Sequence, residues 1–265
     1  MRSVAGTWRA RAAHGVDLAA AASASPQPVV WTVVAGAWLI AIVTSATGTA
    51  GLLHHHALIE GGTPPWIGVP AFLLGWYVML AAMMLPASLP TFRGANASIR
   101  RLPRPRIGRA AFAVAFAVVW TAFGLLALAG DLALHRAADA TPWLAARPWL
   151  IQASVLSLAG AYQFAPLKRR SLAVCRHPVG PRSPDAQLRR GALQRGLDDG
   201  VACLGSSWAL MLLMFAEGFA NLWWMVALTA LMVYEANGRH GERAASVAGI
   251  VLLLAGLTAL STPLL

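Results

Sequence analysis

Residues 67–90 read Ile67-Gly68-Val69-Pro70-Ala71-Phe72-Leu73-Leu74-Gly75-Trp76-Tyr77-Val78-Met79-Leu80-Ala81-Ala82-Met83-Met84-Leu85-Pro86-Ala87-Ser88-Leu89-Pro90, without one charged side chain. About 20 apolar residues in a helix cross the ~30 Å hydrocarbon core of a bilayer, and this run is long enough. Apolar residues stand on every face of it rather than alternating. A barrel strand would alternate, and a lone strand in lipid would leave its backbone unpaired, so the run is read as a helix.

Similar runs recur along the 265-residue chain, at 29–53, 110–130, 149–167, 200–216, 218–234 and 244–265. The sequence therefore predicts an all-α polytopic transmembrane helical bundle of about seven spans. It forms a single transmembrane domain over residues 29–265, preceded by a tail at 1–28. Composition agrees: 58% of residues are hydrophobic and 12% charged, against roughly a quarter charged in an average soluble domain. The 1–28 tail carries Arg2, Arg9 and Arg11, but the apolar run after it is too long for a signal-peptide core and is expected to stay as the first span.

The formal net charge of +11 does not point to nucleic acid, because the basic residues lie in separate loops rather than on one soluble face. Between spans two and three stand Arg93, Arg100, Arg101, Arg104, Arg106 and Arg109; between four and five stand Lys168, Arg169, Arg170, Arg176, Arg182, Arg189, Arg190 and Arg195. Alternate loops are rich and poor in Lys and Arg. Placing the rich ones in the cytoplasm puts 19 of the 21 basic residues inside, with the N-terminus in and the C-terminus out. Lipid bilayer is the expected surrounding; the Ala, Gly and Arg bias points to a GC-rich bacterium, and the expected location is its inner membrane. The basic loop at 168–199 is the only sizeable extramembrane stretch. Leu188, Leu193 and Leu197 alternate there with arginines, as in a short amphipathic helix lying on anionic lipid.

Four sets of side chains could carry chemistry. His54, His55 and His56, with Glu60 nearby, follow span one on the outer side, while Asp131 and His135 stand four apart at the outer end of span three. Imidazole and carboxylate on one helix face suit a divalent ion, and the two outer clusters could share it. Met79 and Met83 share a face of span two, followed by Met84 and Pro86; thioethers select Cu(I), although methionine also fills gaps between helices. Pro86 should kink or end that helix. Cys175 and His177, with Cys203 near the inner end of span five, make a plausible soft-metal set on the cytoplasmic side, where two thiols are expected to be reduced. Glu217, Asn221 and Glu235 lie near span ends; Asn221 suits a structural hydrogen bond between helices. A pairing of Trp76-x-x-Met79 with Trp208-x-x-Met211, three spans apart, hints at an inverted repeat. No phosphate loop, nucleophile elbow or His-Glu-x-x-His signature is present.

Three stretches, Trp76 to Pro86, Ala159-Gly160-Ala161-Tyr162-Gln163-Phe164-Ala165-Pro166-Leu167-Lys168 with Cys175-Arg176, and Cys203-Leu204-Gly205-Ser206-Ser207-Trp208-Ala209-Leu210-Met211, together resemble a bacterial family described as predicted metal-binding integral-membrane proteins. The resemblance covers roughly residues 70–240 and carries over Tyr162, Gln163, Pro166, Lys168, Cys175, Cys203 and Asn221. That family usually shows Cys-x-Gly-Cys-Cys-Trp where this chain has Cys203-Leu204-Gly205-Ser206-Ser207-Trp208, so two of its three thiols are serines here. This departure weakens the inner metal set.

The leading expectation is therefore a membrane protein that binds a transition metal, copper first, through the outer histidines and acids with the span-two methionines behind them. It would handle or sense metal rather than act as an enzyme. A small soluble metal-binding protein is the expected partner. The alternative is a transporter or accessory membrane subunit that binds no metal, its motifs serving helix packing. A third reading, a subunit like a copper membrane oxygenase, rests on Asp131 and His135 alone.

Overall fold

A computed structural model describes residues 27–48, 64–176, 191–217 and 221–261. Among these residues every regular element is a helix: α1 (Gln27–Ala46), α2 (Pro65–Ala87), α3 (Leu89–Ile99), α4 (Pro105–Ala140), α5 (Pro142–Ala145), α6 (Pro148–Tyr162), α7 (Pro166–Arg176), α8 (Ala192–Glu217), α9 (Leu222–Asn237) and α10 (Gly241–Ser261). Five of them are long and apolar enough to cross a membrane: α1, α2, α4, α8 and α10. Joined across its bend, α6 with α7 makes a sixth. Helix α9 has 16 residues and rises about 24 Å, short of the usual span. The all-helical bundle is as the hydropathy predicts, with five or six spanning helices among the described residues where the sequence suggests seven.

The run at 67–90 folds as α2 up to Ala87, breaking at Ser88 just beyond Pro86, as a proline in the last turn requires. Its buried side chains include Phe72, Trp76, Met79, Met83 and Met84. Trp76 is the centre of an aromatic cluster with Phe72, Trp120, Phe123 and Phe215, and its indole N–H donates to the Trp120 carbonyl at 3.1 Å. Methionines Met79, Met83, Met211 and Met214 complete this core.

Three boundaries differ from the hydropathy reading for identifiable reasons. Helix α4 has 36 residues, about 54 Å of rise, because the apolar stretch is flanked on both sides by helix-forming residues that hydropathy alone leaves out. The span expected at 149–167 is broken: α6 and α7 meet at 63°, since Pro166 lacks the N–H that would continue the helix. The stretch proposed as a surface helix is, from Ala192 onward, the first turns of α8. Leu188 lies outside the described residues.

Helices α6 and α10 pack closely. A Cβ on Gly160 would come within 2.8 Å of the Leu253 backbone nitrogen and 2.9 Å of the Gly249 carbonyl oxygen. Such small-residue contacts hold helices together in lipid, where burial of apolar surface supplies little drive. Helix α4 packs similarly along α8, while α1 lies outermost, touching α2 and passing the Trp38 indole N–H to the Ala82 carbonyl at 3.1 Å. The outward surface is apolar too: Trp66, Leu126, Val201, Trp223 and Leu257 are among the most exposed large side chains. In water that would be an aggregating surface; in lipid it is the solvated one.

Candidate metal site

Four helices each turn one face toward a common point near the basic end of the bundle. From the end of α2 come Met84 and Ala87 with the capping Ser88, from α7 Leu172 and Cys175, from α8 Cys203, Ser206 and Ser207, and from α9 Met232, Glu235 and Ala236. The spacing is i, i+3, i+4 on three of them and i, i+3 on α7, which sets these side chains on one face of each helix. They enclose a cavity of about 20 Å³, enough for one water or one ion. Two thiols and two thioethers line it.

Each thiol is held in place by hydroxyls. The Cys203 sulfur lies 3.2 Å from Ser88 Oγ, and the Cys175 sulfur 3.9 Å from Ser206 Oγ. Ser206 and Ser207 donate to the Cys203 carbonyl at 2.7 and 2.9 Å. These are the two serines that replace thiols of the resembled family. They remain part of the cavity wall but contribute oxygen rather than sulfur.

Behind the sulfurs sits a buried ion pair. Lys168, Ser171, Leu172 and Cys175 form one buried stripe on α7. The Lys168 ammonium donates to Glu235 Oε2 at 2.7 Å and to the Ser206 carbonyl at 2.9 Å. Both charged side chains are almost fully buried, at 1% and 2% exposure. Such a pair is tolerated only when its geometry is good. Glu235 Oε1 has no hydrogen-bond partner, although Glu235 lines the sulfur cavity. Arg176 closes the arrangement by donating to the Glu235 and Gly238 carbonyls, each at 2.7 Å. It thereby ties the end of α7 to the carbonyl end of α9, where a cation is favoured. Tyr162 donates to the Gly205 carbonyl at 2.5 Å and stands edge-on to Trp208.

The sequence-derived candidates separate in this arrangement. Cys175 and Cys203 come to one cavity, and Lys168 braces it. Met79 and Met83 are buried in the core and do not line the cavity, whereas Met84, their neighbour, does. Met232 was missed altogether; its only sequence signal is its place three residues before Glu235. Gln163 is buried at the α6–α7 bend. Asn221 caps α9, its side chain accepting from the Trp224 amide at 3.4 Å. Asp131 and His135 pair with each other on α4, His135 Nδ1 lying 3.4 Å from Asp131 Oδ2 and 2.9 Å from the Asp131 carbonyl. His54, His55, His56, Glu60 and His177 lie outside the described residues, as does the side chain of Glu217.

Among the described residues no three His, Cys, Asp or Glu side chains come together as a metal-holding group. What the cavity offers instead is sulfur from two residue types, a donor set that suits a soft ion such as Cu(I) and not a hard one such as calcium. No curated protein and no solved structure matches the chain. A family match does exist, over residues 73–259, and it takes in α3 to α9 with about two thirds of α2 and nearly all of α10. Covering well over half of the sequence, with every residue that lines the sulfur cavity, this match places the chain in the PpoB2 copper chaperone family.

Proposed function

We propose that the protein receives Cu(I) as cargo in the cavity between α2, α7, α8 and α9, with Cys175 and Cys203 as the binding thiols and Met84 and Met232 as thioether neighbours. The observation that carries this reading is the meeting of those four sulfur-bearing side chains around one space of ion size. Thiolate and thioether are the ligands that select Cu(I). The serine hydroxyls hold the thiols in place, and the Lys168–Glu235 pair fixes α7 against α8 and α9. A membrane location follows from the apolar helices. The basic loops argue for a cytoplasmic opening.

A copper competition on detergent-purified protein tests this. With bicinchoninate as the competing chelator, wild type should hold one Cu(I), and the Cys175→Ser/Cys203→Ser double variant should bind at least about 100-fold more weakly, the loss expected when a metal's thiolates are removed. Equal affinity in the two proteins would falsify the assignment. A reporter fused after Arg106 checks orientation: activity on the outer side would overturn the cytoplasmic opening.

A further inference from the structure

A second cavity, of about 290 Å³, lies beside the sulfur cavity, at the α6–α7 bend. Its walls are the α6–α7 bend, with Gln163, Phe164, Lys168 and Arg169, and the first turns of α10, with Glu242 and Ser246. Leu172 lines both cavities. Lys168 lines the outer one and bonds Glu235, which lines the inner one, so a single residue layer divides them. At the back stands Gln163, 2% exposed, with neither its amide nitrogen nor its amide oxygen hydrogen-bonded. A buried amide left so carries a penalty that a ligand offering both an acceptor and a donor would remove.

The polar groups there are complementary to one kind of molecule. Gln163 presents the donor and acceptor that pair with a peptide amide, Arg169 is a guanidinium suited to a carboxylate, and Glu242 is a carboxylate suited to an ammonium. Amide, carboxylate and ammonium together describe a short peptide zwitterion. The size agrees, since pockets for small ligands begin near 300 Å³. We propose that this cavity docks a small zwitterionic peptide thiol carrying Cu(I), which hands the ion across the Leu172 and Lys168 layer to Cys175 and Cys203.

The inference rests on the sulfur cavity being the copper site. The handover is a ligand exchange without redox change. The copper–sulfur bond of the donor breaks, a bond to a cysteine sulfur forms, and the cysteine proton passes to the departing donor thiolate.

Two Cu(I) sources separate this docking step from binding itself: the glutathione complex, which has the zwitterionic groups, and the acetonitrile complex, which lacks them. Stopped-flow uptake is compared in wild type, Gln163→Leu and Arg169→Ala, the second being a surface change that leaves the core intact. Each variant should slow uptake from Cu(I)–glutathione by about tenfold, the loss of about one hydrogen bond to the ligand, while uptake from Cu(I)–acetonitrile stays within about twofold. Equal slowing with both sources, or with neither, overturns the docking role. So does loss of a co-purified aminophospholipid from the variants with uptake unchanged, which would assign the cavity to a lipid headgroup. If wild type takes copper from neither source, the sulfur cavity reading fails and this inference with it; uptake from acetonitrile alone overturns only the docking.

Discussion

At one end of the bundle Met84, Cys175, Cys203 and Met232 reach a shared space from four helices distant in sequence. Toward the other, Asp131 and His135 stand one turn apart on α4 and pair with each other, half-buried. The second arrangement is the easier to see in a sequence, because a four-residue spacing on one helix is a local signal. The first is invisible locally, since it exists only once α7 folds back at the Pro166 bend and lays its stripe against α8 and α9. Ligand sites assembled from distant segments are fixed by packing, and a shift of any one helix would undo them.

The strongest test of that contrast exchanges the two ends. Replacing both Cys175 and Cys203 by serine should lower Cu(I) affinity by about two orders of magnitude or more, while Asp131→Ala with His135→Ala should change it by less than about twofold, measured by the same chelator competition. The opposite ranking would move the metal to the α4 end.

A second expectation concerns the brace behind the sulfurs. Lys168→Ala leaves Glu235 buried and unpaired, and should destabilise the protein by about 3–5 kcal/mol in a detergent unfolding experiment. Changing Lys168 to Met and Glu235 to Leu together should recover most of that loss, because no lone charge remains. If the double change is as damaging as the single one, the pair is not what holds α7.

Packing distinguishes the two ends less sharply. Gly160→Val puts a branched side chain against the α10 backbone at Leu253 and Gly249, and about 1–3 kcal/mol of stability should be lost to overpacking. Smallest of all, Asp131→Asn removes one partly exposed ion-pair partner and should cost no more than about 1 kcal/mol by thermal melting. Copper affinity itself should rise with pH, because each thiol must shed its proton before it binds the ion. A flat profile between weakly acid and neutral buffer would argue against thiolate ligands.

Hydropathy made the helices legible, and charge asymmetry made the basic end legible, since both follow from the cost of burying charge in lipid. Pro86 announced the end of α2. Pro166 carried an equal signal, but apolar residues on either side of it read as one continuous span, and the bend went unseen. The two cysteines were recognisable by chemistry. Met84 and Met232 were not, because a methionine facing a cavity and one filling the core are alike in sequence, and only the rotation of α2 and α9 separates Met84 from Met79 and Met83. The preference for the outer histidines followed from counting ligand types per face, and His54, His55 and His56 lie outside the described residues.

The four sulfur-bearing residues span positions 84 to 232, so a copper ion held among them would join segments that the unfolded chain keeps far apart. Binding of that kind is linked to folding: an ion that prefers the native arrangement stabilises it by an amount that grows with the logarithm of free copper, about 2.7 kcal/mol at a hundred times the dissociation constant. Loaded and empty forms would then differ in resistance to heat and to proteolysis as well as in occupancy. For a carrier this has a direct consequence: releasing the cargo is also the moment at which the protein is least protected, so turnover of the protein would follow its copper supply.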